Sequence, residues 1–208
     1  MKIKSQEDKK DEQQNEERMT DLLFLPNMAD SSEESRTVHL YGEVNEENCK
    51  NLISALYYLK TNVKLAEDEE ISPIDVLVST EGGSVQEMFS VYDSIRDLRK
   101  EVEIKTYGIG KVMSAGILLL ACGTNGSRKV GRNCRLMLHP VSGGQFGSLK
   151  ELEVDLKEVR WYENQLIKSL ASESKLKESE VKEIFDRKTD TYFDAEQALE
   201  WGIVDEIV

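Results

Sequence analysis

Residues 110–123 read GKVMSAGILLLACG. From Ile117 to Leu120 no side chain is polar, so the helix predicted here is apolar on every side and belongs inside a core. Its first turn differs. Ser114 stands beside two small residues, Ala115 and Gly116, after a glycine-containing approach. Two readings fit. Serine is a favoured N-cap, its hydroxyl accepting from an early helix amide. Alternatively the hydroxyl is a nucleophile, with the free amides of the helix start beside it.

Working outward, EIKTYGIG (103–110) predicts a strand running into this turn, and RLMLHP (135–140) a strand ending on His139 and Pro140. TVHLYGEV (37–44) alternates and reads as the first strand. ENCKNLISALYYLK then places Leu52, Ile53, Leu56 and Leu59 at helical spacing. A polar loop, KLAEDEE, leads to the apolar strand IDVLVST, which ends in Glu81-Gly82-Gly83. VQEMFSVYDSIRDLRK sets Val85, Met88, Phe89, Tyr92 and Ile95 on one helical face. After SGGQFGS (142–148) come a long helix from about Leu149 to Ser172 and a short one in ESEVKEIFDRK. The last helix, DAEQALEWG, has Asp194 as N-cap and Gly202 as stop. Strands alternating with helices predict βαβ crossovers and an α/β domain.

Eleven of the first 18 residues are charged, from Lys2 and Lys4 to Glu17 and Arg18. Such a segment has too little to bury to offset its ordering entropy, so residues 1–35 are expected to be a disordered or interaction tail before a folded domain at 36–208. A net charge of -13 offers no basic stripe for nucleic acid or for an anionic membrane. No run approaches the roughly 20 apolar residues of a membrane span, and the N-terminus lacks a signal-peptide core. Cys49, Cys122 and Cys134 have no metal-type spacing and point to a reducing, cytosolic compartment, with neither metal nor cofactor expected.

Sites in α/β sheets gather at the carboxyl ends of strands. Gly82-Gly83 at such an end lets the backbone approach a substrate closely, although an ordinary tight turn would read the same. The chain has two histidines. His39, within the first strand, reads as structural; His139 ends a strand where an imidazole can face a cleft. A serine at a helix mouth, a histidine at a strand end and downstream carboxylates are what acyl transfer needs: nucleophile, base, orienting acid and fixed oxyanion donors. Residue types alone do not choose among the acids. A Ser–Lys dyad with Lys111 is a poor option, because that lysine lies three residues before Ser114 on a non-helical approach.

Three blocks, EGGSVQEMFSVYDSI, GKVMSAGILLLACGTNGSRKVGRNCRLMLHP and DTYFDAEQALEWGIVDEIV, resemble in order the Clp protease proteolytic subunit, ClpP, from about Val38 to Val208. The resemblance implies a ClpP/crotonase-like β-β-α superhelix of α/β class with a long handle helix, the handle spanning about residues 140–175. It implies Ser114 as nucleophile, His139 as base and Asp190 as the orienting acid, with Asp186 and Asp194 as alternatives and Asp194 better explained as a cap. The amides of Gly83 and Ala115 would form the oxyanion hole, and Gly82, Gly143 and Gly144 would bind substrate, SGGQFGS acting as a strand that pairs with peptide.

The family further implies heptameric rings stacked in pairs around a chamber, fed by an AAA+ unfoldase of the ClpX, ClpA or ClpC type. The setting would be a bacterial cytoplasm, or a host cytoplasm if the chain is phage-encoded, where mixed rings with a host ClpP are conceivable. This chain departs from the family pattern at several points. Glu81 replaces a proline, Pro140 directly follows His139, and Ser148 replaces a glutamine. Lys188 and Thr189 replace an acid–arginine pair at the ring contact, and Asp75 and Leu77 replace apical aromatics. The changed ring and docking positions suggest a non-catalytic or modulatory subunit as the alternative. A crotonase-type acyl-CoA enzyme is disfavoured, since such enzymes do not need the serine–histidine–aspartate set.

Overall fold

The computed structural model describes residues 35–61, 71–141, 146–187 and 189–208, with Arg36–Val208 forming one unit. The 1–34 tail, Gly143, Gly144 and Lys188 lie outside the described residues. Three strand–helix pairs build the first half: β1 (Thr37–Val44), α1 (Glu46–Thr61), β2 (Ile74–Gly83), α2 (Val85–Leu98), β3 (Ile104–Met113) and α3 (Ala115–Ala121). Two short strands follow, β4 (Arg128–Val130) and β5 (Arg135–Leu138). The rest is α4 (Leu149–Ser172), α5 (Glu178–Phe185), β6 (Thr191–Phe193), α6 (Ala195–Glu200) and β7 (Glu206–Ile207).

The strands form a seven-stranded, mostly parallel sheet with the main order β1-β2-β3-β4-β7. β3 forks. Thr106–Gly108 pair with β4, whereas Lys111–Met113 pair with β5, which is joined antiparallel by β6. β2 and β3 each run three residues beyond the apolar stretches expected of them: Lys111–Met113 are held by β5, and Gly82 and Gly83 by Glu43 and Val44 of β1. Ladder partners at their carboxyl ends hold polar and glycine residues that periodicity assigns to turns. β4 and β7, of three and two residues, are too short to show a period and were not expected.

Along β2 inward and outward residues alternate, so one sheet face carries the core and the other is open. Leu77, Tyr107, Lys129 and Glu206 lie on one outward rung, where Lys129 pairs with Glu206 at 2.8 Å; Asp75 faces outward one rung away. On the inner face α1 buries Cys49, Leu52 and Leu56, and α2 buries Met88, Val91, Tyr92, Ile95 and Leu98. Phe89, expected with them, is only half-buried and stacks on Tyr162 of α4. All of α3 is buried, as an apolar helix without a polar face requires.

The long helix begins at Ser148, whose hydroxyl accepts from the Glu151 amide while the Glu151 carboxylate accepts from the Ser148 amide (2.6 Å). This capping box gives the departure at Ser148 a local reason. The strand expected in SGGQFGS falls largely on residues 142–145, outside the described residues; Phe146–Ser148 lie in no strand. The C-terminal half of α4 buries Leu166, Ile167 and Leu170, while Leu149, Val154 and Leu156 on its first half are exposed.

Buried and half-buried charges tie the helix ends together. Glu173, just after α4, accepts two hydrogen bonds from Arg99 (both 2.8 Å) and one from the Tyr92 hydroxyl (3.0 Å). Arg128 bridges the Glu173 carbonyl and the Asp205 carboxylate. Burial pushes the Asp205 carboxyl up, but hydrogen bonds from Arg128 and from the Arg128 and Gly126 amides outweigh it, so its pKa lies below the ordinary value. A carboxyl depressed on folding stabilises the protein above its unfolded pKa, and that contribution is lost as pH falls through the folded value. Urea denaturation below about pH 4 should therefore show a steeper loss of stability in the wild type than in Asp205→Asn.

Candidate active site

Ser114 occupies the position just before α3, but its hydroxyl makes no capping hydrogen bond. Its φ of 54° makes it the non-glycine residue with positive φ among the described residues. Such a conformation costs on the order of 1–3 kcal/mol and survives only where surrounding contacts enforce it. Here they do. The Ser114 amide donates to Met137 O of β5 (2.8 Å), and Ile117 N donates to Ser114 O (3.0 Å). Ser114 therefore stands at the N-cap position without capping: its hydroxyl makes no hydrogen bond to the helix amides.

The glycine pair meets this turn from β2. A Cβ on Gly82 would lie 2.6 Å from Ser114 Cβ, so only glycine permits the approach. The Gly82 amide donates to Thr80 Oγ1 (2.9 Å) and the Ser84 amide to Val44 O (2.8 Å), with the Gly83 amide between them. Ala115 is the first residue of α3, and its amide has no intrahelical acceptor. Thr80, fully buried, both orients Gly82 and packs where a Cβ on Gly116 would sit. Sequence reading missed it; the available signal was a hydroxyl closing an apolar strand just before two glycines.

Gly83, Ser114, Ala115 and His139 line one cleft of about 720 Å³, with Met88 and Leu138 in its floor. β5 delivers His139 and also holds the Ser114 amide two residues earlier, which brings two distant segments together. Asp190 does not line the cleft. It immediately precedes β6, whose first residue, Thr191, pairs antiparallel with Leu138, so Asp190 and His139 each adjoin the last paired residues of β6 and β5. Among the described residues, no hydrogen bond joins the Ser114 hydroxyl, the His139 ring and the Asp190 carboxylate.

The competing groups are engaged elsewhere. Asp186 pairs with Lys182 (2.7 Å), and Asp194 caps α6 by accepting from Gln197 N (2.9 Å), as expected. Lys111 pairs with Glu81, and its ammonium holds the Glu81 carboxyl below its ordinary value, which leaves the dyad with Ser114 without support. His39 lies exposed on the outer sheet face, edge-on to Tyr41. The three thiols are buried; desolvation pushes Cys49 and Cys134 to about 11 and Cys122 to about 12, so none is a ready nucleophile. No group of metal-binding side chains occurs among the described residues, and no described helix is long and apolar enough to cross a membrane.

A parallel-dominated α/β fold with an unengaged serine at a buried helix mouth is one found among peptidases. Comparison with known families narrows this class: the family model described as Clp protease matches residues 22–208, so the chain belongs to the Clp protease family. Among individual proteins, it is similar to "ATP-dependent Clp protease proteolytic subunit 1" of Rhodopirellula baltica (strain DSM 10527 / NCIMB 13988 / SH1). The two are 28% identical over 175 residues, covering 84% of this chain and 73% of that protein.

Proposed function

We propose that the chain is a catalytic subunit of a ClpP-type serine endopeptidase, cutting unfolded polypeptides inside a ring-shaped chamber. The observation that carries the reading is the strained, uncapped Ser114 sharing one cleft with His139. His139 takes the proton of the Ser114 hydroxyl as its oxygen attacks the peptide carbonyl. Asp190, just beyond the β5–β6 pairing that ends at Leu138 and Thr191, accepts from one imidazole N–H, holds the tautomer whose other nitrogen takes the serine proton, and stabilises the protonated form.

The developing oxyanion is received by the Gly83 and Ala115 amides, which need no reorganisation because β2 and α3 fix them. His139 then protonates the leaving amine, and water releases the acyl group from Ser114 by the same steps in reverse order. The missing hydrogen bonds in the isolated chain fit a site that tightens when substrate or neighbouring subunits are present. Family membership supports stacked heptameric rings and an AAA+ unfoldase partner, in a cytoplasmic setting. The ion-paired outer sheet rung, with Asp75 nearby, favours an altered docking mode, and keeps a modulatory subunit in mixed rings as the second reading.

A fluorophosphonate probe tests the first reading. Labelling of the assembled protein at Ser114, lost in Ser114→Ala and at least about a hundredfold slower in His139→Ala, is expected. Absence of labelling in rings confirmed by native mass spectrometry refutes it and leaves the modulatory reading.

A further inference from the structure

The side chain that the cleft accepts can be read from its far wall. The stripe of α4 along the cleft contains Leu152, Asp155, Leu156, Val159, Tyr162 and Leu166, three and four residues apart. Five of these six are apolar or aromatic and one is a carboxylate; Leu152 and Leu156 are exposed, and Leu166 is buried. Glu158, one turn from Asp155, also lines the wall. Like charges three residues apart weaken a helix slightly, and a carboxylate in an apolar stripe breaks the local pattern. Among the described residues no lysine, arginine or histidine pairs with either carboxylate, although exposed ion pairs occur elsewhere on the surface. Met88 and Leu138, both buried, add an apolar part to the same lining as Ser114 and His139.

We propose that this cleft selects polypeptide segments carrying lysine or arginine beside the cut bond; the inference rests on Ser114 being the nucleophile. A lysine or arginine presents both halves of the chemistry: an aliphatic stem to lie on Met88 and Leu138, and a cation to reach Asp155 and Glu158. An apolar side chain fills the floor but leaves the two carboxylates without a counter-ion. A glutamate meets two like charges. The net charge of -13 draws basic segments toward the protein over longer distances in the same direction.

Binding to assembled Ser114→Ala protein, which cannot turn over, tests this without relying on hydrolysis. The probes are fluorescein-labelled ten-residue peptides of alanine and serine with one variable residue: lysine, norleucine or glutamate. The lysine peptide should bind about fivefold to tenfold more tightly than the norleucine peptide, and the glutamate peptide weakest, with the spread narrowing in 0.5 M salt. Asp155→Asn combined with Glu158→Gln should erase the lysine advantage, and Asp155→Lys should move it toward glutamate. Equal affinities in the Ser114→Ala background, or a ratio unchanged by the double substitution, overturn the proposal. Probe labelling of Ser114 in the otherwise unsubstituted protein reports separately on the catalytic reading, so either can fail alone.

Discussion

Gly82→Ala should lower kcat/KM for peptide hydrolysis by about a hundredfold or more while leaving a folded protein. The added methyl would come within 2.6 Å of Ser114 Cβ and 2.9 Å of Met113 O, both parts of the turn that presents the hydroxyl. The far end of a flexible side chain could yield, but this turn is pinned by the Ser114 amide on Met137 O and cannot move without shifting β3 or β5. A displacement of about 1 Å at a reacting atom is enough for a hundredfold loss. Alanine at a φ of +97° adds backbone strain, so a matched control is needed. Gly42→Ala supplies it: φ is +78° there and no atom lies within 4 Å of the added Cβ. The control should lose stability on a similar scale yet keep kcat/KM within about twofold. Comparable activity losses in both variants would mean that strain, and not contact with Ser114, governs the site.

Glu173→Ala is expected to be the most damaging single change to stability, about 2–4 kcal/mol, because it leaves the buried Tyr92 phenol without its partner and takes the carboxylate from the half-buried Arg99 guanidinium, which keeps only the Cys122 and Gly123 carbonyls. Thermal unfolding should shift downward by about 10 °C for a domain of this size. Glu173→Gln, which keeps an acceptor for one donor, should fall between. The network couples the ends of α2 and α3 to the base of α4, so a loosened α4 should also raise KM through the wall of the cleft. If Glu173→Ala melts within about 2 °C of the wild type, water replaces the carboxylate and the network is not structural.

Neither Glu173 nor Arg99 stood out in the linear chain. Their partners lie 74 residues apart, and each looks like one more charge among many on a helix end. Thr80 was hidden differently: its hydroxyl accepts from the Gly82 amide only two residues away, but the bond matters because Gly82 meets Ser114, which is distant in the chain. The elements themselves were legible. The boundaries of β1 and α4 fall where alternation and the long helical segment put them, because each is decided by neighbours within a few residues. α2 ends two residues early, since Arg99 closes it and binds Glu173 instead of continuing the helix.

For Ser114 the local stretch favoured a cap over a nucleophile, although both need a small hydroxyl at a helix start. Local pattern settled that a buried helix begins at residue 115, that a strand carries His139, and that the chain is α/β, since periodicity and capping are properties of short windows. Only the assembled fold decided where the hydroxyl points. The long-range bond from Ser114 to Met137, together with the absence of a Cβ on Gly82, forces a backbone angle that no short window specifies.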